Sequence, residues 1–402
     1  MSTSQPMASA DQQFEILRRG AVDLIEEKQL RKLLELGRPL RIKLGLDPSS
    51  PDLHVGHAIQ LLKLRDFQEL GHQVVLIVGD ATAMIGDPTG RNKLRPQLTR
   101  EAVEENLITY TDQAGELIDM ERAEVCRNSE WFDAMDFQGL VRLASRMTVA
   151  RMIERDTFQE RMEAAEPIGI HEFLYPLMQG WDSVMVTADL ELGGTDQLFN
   201  LLVGRDLQRE EGQMPEVCLT LPLINGSDGR KMSKSYGNAI PFRAAPADMF
   251  GKTMAIEDGV MGEWFTLLTR LPEQEIGELL AGHPRRAKAA LAADITARFH
   301  GPEAAAAAAA AFDRQFKQRE VPEEMPEHAW PDAQGADLQL AVLLKAVGLA
   351  PTTSEARRLV KQGGVRIDGE VQTDPVRPIS PGTEGGAPRI LQVGRRRFAR
   401  LL

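Results

Sequence analysis

The stretch from Leu40 to Val78 constrains the fold of this chain more than any other. Leu40-Arg41-Ile42-Lys43-Leu44-Gly45-Leu46 alternates with period two, a strand pattern, and Asp47-Pro48 ends it. A helical pattern follows from about His57 to Leu70 and is closed by Gly71. Val74 to Val78 is then wholly apolar, as in a strand buried on both faces. Strand, turn, helix and strand in about 40 residues form a βαβ unit, which implies a parallel sheet.

The rest of the chain extends this α/β pattern. Residues 14–36 carry apolar positions at helical spacing and read as one amphipathic helix or a broken pair. Helical patterns fill most of 99–180, while Val184-Met185-Val186 and the residues before Gly193-Gly194 predict another buried strand and its turn. Leu219 to Leu223 is apolar and leads into a loop at 225–235. From Ala247 to about Phe316 the pattern is helical and rich in alanine. The tract Glu303 to Phe312 reads as helix because alanine has the best helix propensity. Residues 321–336, rich in proline and acids, predict a linker before a last domain at 337–402. The expected division is 1–240, with a helical insertion near 130–170, then 241–320, the linker and 337–402.

A length of 402 residues fits two or three domains, and 43% hydrophobic with 26% charged residues is a soluble, globular composition. No stretch approaches the roughly 18 apolar residues of a membrane span. The start of the chain is polar and lacks a signal pattern, and Cys126 and Cys218 are too few for a disulfide framework or a four-cysteine zinc site. A cytoplasmic protein is expected. The net charge of −12 argues against nonspecific coating of nucleic acid. From Asp337 onward, however, 11 basic residues face 6 acidic ones, so the tail carries +5 and the remainder −17. A basic tail on an acidic body suggests one polyanion contact at a defined place; a solubilising terminus is the plainer alternative.

Several segments carry chemistry. His54-Val55-Gly56-His57 sits at a helix start, where unpaired amides and partial positive charge suit phosphates. Gly56 permits close approach, and both imidazoles can donate to one anionic group; a pair of surface histidines at a cap is the alternative. Asp47 and Ser49 lie just upstream, at the strand end where open α/β sheets bind ligands. Lys231 and Lys234 lie three apart beside Ser233 on a glycine-containing loop, and can close over a polyphosphate or form a solvated basic turn. Gly86-Asp87-Pro88-Thr89-Gly90 is a tight turn presenting a carboxylate. Tyr175, Gln179 and Asp182 share one helix face and suit a ligand bearing an ammonium and a hydroxyl, although Pro176 fits only a first turn or a kink. Gly193-Gly194-Thr195-Asp196-Gln197 offers a close-approach backbone and a carboxylate suited to a ribose diol.

Together, His54–His57 and Lys231–Ser235 resemble the HIGH and KMSKS signatures of class I aminoacyl-tRNA synthetases. With the segments 42–48, 84–90, 175–183 and 193–197, the chain from about residue 14 resembles the bacterial tyrosyl-tRNA synthetases, second subtype, which has a literal KMSKS. Residues 354–369, with Arg357, Arg358 and Lys361 on a basic helix, resemble an S4 RNA-binding domain; a helix-hairpin packing module is the alternative. The resemblance implies a Rossmann-like catalytic domain with a parallel sheet, then an α-helical domain and a small α+β S4-like domain.

It also implies roles. His54 and His57, with Ser49 assisting, hold the ATP phosphates. Lys231 and Lys234, with Ser233 on the same loop, reach the β,γ-phosphates. Gly56 lies against ATP, Asp196 binds the ribose, and Asp47 borders both substrates. Asp87, Tyr175 and Gln179 receive the tyrosine ammonium, Asp182 the phenol hydroxyl, and Gln197 faces the carboxylate. Arg357, Arg358 and Lys361 contact tRNA. The better-known bacterial subtype has a tyrosine at the position of Lys43, so the contribution of Lys43 stays open. The implied reaction is formation of tyrosyl-adenylate from L-tyrosine and ATP, then transfer to tRNA(Tyr), by a homodimer. The insertion, with Trp131, Phe132 and several methionines, is a candidate for its interface. Mg²⁺ is expected to travel with ATP, without a dedicated protein site. The rivals are a tryptophanyl-type synthetase and a noncatalytic RNA-binding or splicing relative.

Overall fold

The computed structural model describes residues 8–48, 52–88, 99–226, 228–232, 236–317, 325–331, 337–380, 388–394 and 397–401. Ser49, Thr89, Gly90, Ser233, Lys234 and Ser235 lie outside them. The chain divides into two compact units, Met1–Ala305 and Ala306–Leu402.

The first unit is built on a six-stranded sheet. Its strands are β1 (Asp23–Ile25), β2 (Arg41–Leu46), β3 (Gln73–Val78), β4 (Glu124–Arg127), β5 (Leu190–Gly194) and β6 (Val217–Leu221), in the order β1-β6-β5-β2-β3-β4. β2 and β3 pair in parallel from Arg41 opposite Gln73 to Leu46 opposite Val78, with the helix Val55–Glu69 between them in sequence. β4, β5 and β6 continue the parallel pairing, and only β1 runs antiparallel, at the edge. The chain proceeds outward from β2 through β3 to β4, then returns to lay β5 on the other side of β2. This reversal opens a crevice at the carboxyl ends of β2 and β5, where Asp47 and Thr195-Asp196-Gln197 emerge.

The apolar runs behave as their burial demands. Every residue of β5 and β6 is buried, as are Val74 to Val78 of β3. One open alternative is resolved and one local expectation is corrected. Residues 14–36 form a broken pair, Ala10–Arg18 and Glu27–Glu35, with the edge strand β1 between them. Val184-Met185-Val186 is the end of the helix Leu174–Val186; Val184 and Val186 are buried while Met185 faces out, as on an amphipathic helix. That helix follows a 3₁₀ turn at Ile170–Phe173, which places Pro176 in its first turn, where no intrahelical donor is lost.

Helices Pro246–Met254, Met261–Leu268, Glu273–Ala281 and the long Pro284–Lys317 follow the sheet. The long helix is interrupted at Gly301 (φ 83°, ψ 162°), followed by Pro302. The boundary between the compact units falls just after this break, inside the alanine-rich tract, rather than in the proline-rich stretch.

In the second unit, helices Leu340–Ala346 and Thr353–Lys361 pack on antiparallel strands Val365–Ile367, Arg389–Val393 and Arg397–Leu401. Leu343, Leu344, Val360, Val365, Leu391 and Val393 are among its buried residues. Gly363 takes φ 69° and ends the second helix, its amide bonding to the Val360 carbonyl. Glu327–His328, within the stretch expected to be a linker, pairs in parallel with Arg397–Leu401.

Candidate active site

His54 caps the helix Val55–Glu69 in extended backbone (φ −133°, ψ 167°), and its Nδ1 accepts the Gly56 amide at 3.2 Å. His57 returns the favour, its Nδ1 accepting the His54 amide at 3.1 Å. A neutral ring whose Nδ1 accepts carries its proton on Nε2, so both histidines hold Nε2–H as a donor beside the helix N-terminus. The rings lie 3.9 Å apart between centroids. A Cβ at Gly56 would stand 3.0 Å from His54 Nδ1 and 3.5 Å from Met232 Sδ, so glycine keeps the cap and the lysine loop close.

The segment that follows the lysine loop is stitched to this helix start. The amide of Val55 bonds the Ile240 carbonyl at 2.9 Å, and that of Phe242 bonds the Leu53 carbonyl at 3.1 Å. The two segments, distant in sequence, thus frame one cleft of about 1300 Å³ lined by His54, Gly56, His57, Asp196 and Lys231 among others. Lys231 Nζ lies 3.5 Å from Asp196 across it. Burial raises the Asp196 carboxyl above the ordinary range, and Lys231 opposes that shift. The arrangement offers imidazole donors, a helix N-terminus and an ammonium to phosphates, and a carboxylate to a diol.

The remaining predicted residues form a polar chain behind the cleft. Tyr175 donates to Asp47 at 2.7 Å, and Thr82 donates to the other Asp47 oxygen at 2.8 Å. Asn128 bonds Thr82 at 3.1 Å and Asp182 at 3.3 Å, and the Trp131 indole donates to Asp182 at 2.9 Å. Asp182 is therefore a buried carboxylate with a donor on each oxygen; burial pushes it up to about 7, against the pull of Lys43 and those donors. A second chain starts at Asp87, which accepts from Arg155 at 3.0 Å and from Gln197 at 2.8 Å. Asn200 links Gln197 to Gln179 at 2.8 and 2.9 Å. Gln179 in turn donates to Glu191 at 3.1 Å.

Lys43 ends this second chain. Its ammonium, fully buried, reaches the Gln179 carbonyl at 2.8 Å, Ser183 Oγ at 2.7 Å and Glu191 Oε1 at 3.0 Å. Three donors thus meet three acceptors, which ties Lys43 to the framework under the helix Leu174–Val186.

A family model described as "tRNA synthetases class I (W and Y)" matches residues 35–317, well over half of the chain. The chain belongs to this class I tRNA synthetase family. A second model, "S4 domain", matches residues 339–384. The chain is 48% identical over 400 residues to the tyrosine–tRNA ligase of Moorella thermoacetica, covering 97% of this chain and 95% of that protein. It is 49% identical over 398 residues to the tyrosine–tRNA ligase of Thermotoga maritima, covering 97% of each. Among solved structures, a C-terminally truncated mitochondrial tyrosyl-tRNA synthetase of Aspergillus nidulans has a TM-score of 0.64 at 24% identity, covering 76% of this chain and 94% of that one. The tyrosyl-tRNA synthetase of Archaeoglobus fulgidus complexed with L-tyrosine has a TM-score of 0.60 at 24% identity, covering 75% and 99%. Both structural likenesses show the fold alone.

Within this class I synthetase, the sequence reading missed Arg155, Asn128, Asn200, Glu191 and Glu216, the last buried beside Glu191 and Lys43. Asn200 sits one helical step from Gln197 and was findable by spacing; Arg155 lies in the insertion and carries no local signal. Trp131 packs on Val75, Ile77 and Val186 and aims its indole N–H at Asp182. Arg357, Arg358 and Lys361 are exposed on the helix Thr353–Lys361, with Arg358 paired to Glu355 at 2.5 Å. Among the described residues no group of three or more His, Cys, Asp or Glu is placed to hold a metal ion, and no helix is long and apolar enough to cross a membrane.

Proposed function

We infer that the chain is a tyrosine–tRNA ligase, activating L-tyrosine with ATP and passing the tyrosyl group to tRNA(Tyr). The observation that carries this reading is the hydrogen-bonded path Tyr175–Asp47–Thr82–Asn128–Asp182, which links the carboxyl end of β2 to a buried carboxylate. A buried carboxylate acceptor suits a phenol hydroxyl and leaves a phenylalanine side chain without a matching polar group. The tyrosine–tRNA ligases at 48–49% identity point the same way.

In the first step the tyrosine carboxylate attacks the ATP α-phosphorus in line, an oxygen–phosphorus bond forms, and pyrophosphate leaves. The nucleophile is already an anion, so no general base is required. His54 and His57 offer Nε2–H to the phosphate oxygens, and Lys231 and Lys234 neutralise charge growing on the leaving group. Asp196 holds the ribose, with Asp87, Tyr175 and Gln179 around the ammonium and Gln197 near the carboxylate. Ammonium binding at Asp87 exchanges with Arg155, which now pairs with that carboxylate. In the second step a hydroxyl of the terminal tRNA ribose attacks the tyrosyl carbonyl and AMP leaves. Mg²⁺ enters with ATP.

Tyrosine-dependent exchange of labelled pyrophosphate into ATP tests this reading. We expect exchange with tyrosine and none with tryptophan. Exchange with tryptophan alone supports the tryptophanyl-type rival, and no exchange with either supports the noncatalytic one.

The reading extends to the tail and to assembly in the cytoplasm. Arg357→Ala with Lys361→Ala is expected to raise the KM for tRNA ~10-fold and flatten its salt dependence, while exchange is unchanged. Unchanged charging removes the tail from tRNA binding. A homodimer through the insertion is supported by Phe137 and Val141, one helical turn apart and 80% and 50% exposed. Phe137→Asp should convert a dimer to a monomer in analytical ultracentrifugation; a dimer that persists places the interface elsewhere.

A further inference from the structure

The helix Val55–Glu69 has a second working face. His57 and Gln60 line the phosphate cleft, whereas Leu62, Lys63 and Asp66 line a separate cavity of about 440 Å³. That volume is in the range of small-molecule sites. Its walls are apolar at Ile59, Leu62, Leu267 and Leu268, and its polar lining is unbalanced: Arg19, Lys63, Arg270 and Arg298 face only Asp66 and Glu69.

The two carboxylates are already taken. Arg270 bonds Asp66 at 2.9 Å and Glu69 at 2.7 Å, and Arg65 also pairs with Glu69 at 2.8 Å. Lys63, buried, reaches the Ile16 carbonyl at 3.1 Å and lies 3.6 Å from Asp66. Its ammonium is held below the ordinary range, first by burial, with Arg19 and Arg270 adding to the effect. Arg19 is different. Its Nε and Nη2 are buried and have no hydrogen-bond partner among the described residues, whereas Arg298 pairs through Nη2 with Asp294 at 3.3 Å. Nε and Nη2 form one edge of the guanidinium, two parallel donors matched to the two oxygens of a carboxylate.

We propose that this cavity is a binding site for a small organic acid, its carboxylate on the Nε/Nη2 edge of Arg19 and its apolar body against Ile59, Leu62 and Leu267. Arg298 is balanced by Asp294, while Lys63 and Arg270 share the occupied Asp66 and Glu69 and leave Arg19 to the ligand.

Calorimetric titration of the full chain with hexanoate tests this, with hexanol as the uncharged counterpart. Hexanoate is expected to bind saturably and at least ~10-fold more tightly than hexanol, as a charge-assisted bidentate contact requires. Saturating L-tyrosine should leave that binding unchanged, and Arg19→Met should abolish it while retaining tyrosine-dependent exchange. Lys63→Met serves as a second variant should Arg19→Met not fold. Equal binding of acid and alcohol in the unaltered protein, displacement by L-tyrosine, or unchanged binding in a folded Arg19→Met protein overturns the proposal.

Discussion

Asp182→Asn is expected to lower kcat/KM for L-tyrosine ~100-fold, because a hydrogen bond to a charged group is worth ~1.5–3 kcal/mol. The side chain keeps its shape, and the ATP cleft is built from other residues, so the KM for ATP should barely move. Trp131 and Asn128 already donate to the two carboxylate oxygens, and only the anion has lone pairs enough to accept a phenol as well. Burial raises Asp182 to about 7. Tyrosine kcat/KM should therefore rise with pH through about 7 and then level, and this inflection should be absent from Asp182→Asn. The stability consequence runs the other way. A carboxyl raised in the folded state contributes stability below its unfolded pKa of ~3.9, and that contribution is lost as pH rises through the folded value. The unliganded protein should thus lose stability between pH ~4 and ~7 at this residue, a loss that the asparagine variant does not share. Steady-state kinetics across pH 5.5 to ~8.5 decide the matter. An inflection that survives in Asp182→Asn assigns the titration, and the phenol contact, to another group.

The βαβ unit is legible because its two periods differ and Gly71 separates them. The phosphate cleft is legible because histidine, glycine and lysine at those spacings make poor core and are suited to anions. Val184-Met185-Val186 misleads because a short apolar run fits a buried strand and the end of a buried helix equally well, and here the helix continues from Tyr175. Lys43 is the hardest position. Period two puts it on the polar side of β2, but this parallel strand is central and Ile42, Lys43 and Leu44 are all buried, so at Lys43 both faces are covered. Its partners Glu191 and Glu216 lie at distant positions that only the return of the chain to β5 and β6 brings beside β2. Local pattern carries no information about such pairs, nor about Arg155 reaching Asp87 from the insertion.

Of the two glutamates near Lys43, the geometry makes Glu191 the direct partner. It lies 3.0 Å from Lys43 and accepts from Ser183 at 3.0 Å and from Gln179 at 3.1 Å. Glu216 is buried beside it; burial first, then the adjacent Glu191, lift its carboxyl well above the ordinary range, which favours its protonated form. The two substitutions should therefore differ sharply. Glu191→Gln strands the Lys43 ammonium and should cost ~3–5 kcal/mol, the scale of breaking a buried pair. Glu216→Gln mimics the protonated acid already present and should cost less than ~1 kcal/mol. The pH dependence sharpens the contrast. The contribution of Glu216 is present below its unfolded pKa of ~4.3 and is lost as pH rises toward its raised folded value. Glutamine removes that loss, so Glu216→Gln should match the unaltered protein near pH ~5 and exceed it near pH ~8. Denaturant midpoints at the two pH values test this, with Lys43→Met as the companion. Removing the cation leaves Glu191 uncompensated, so that variant should be less stable than the unaltered protein at both pH values. Equal costs for Glu191→Gln and Glu216→Gln would mean that the proton is shared between them, and Lys43 would then be balanced by the pair rather than by Glu191.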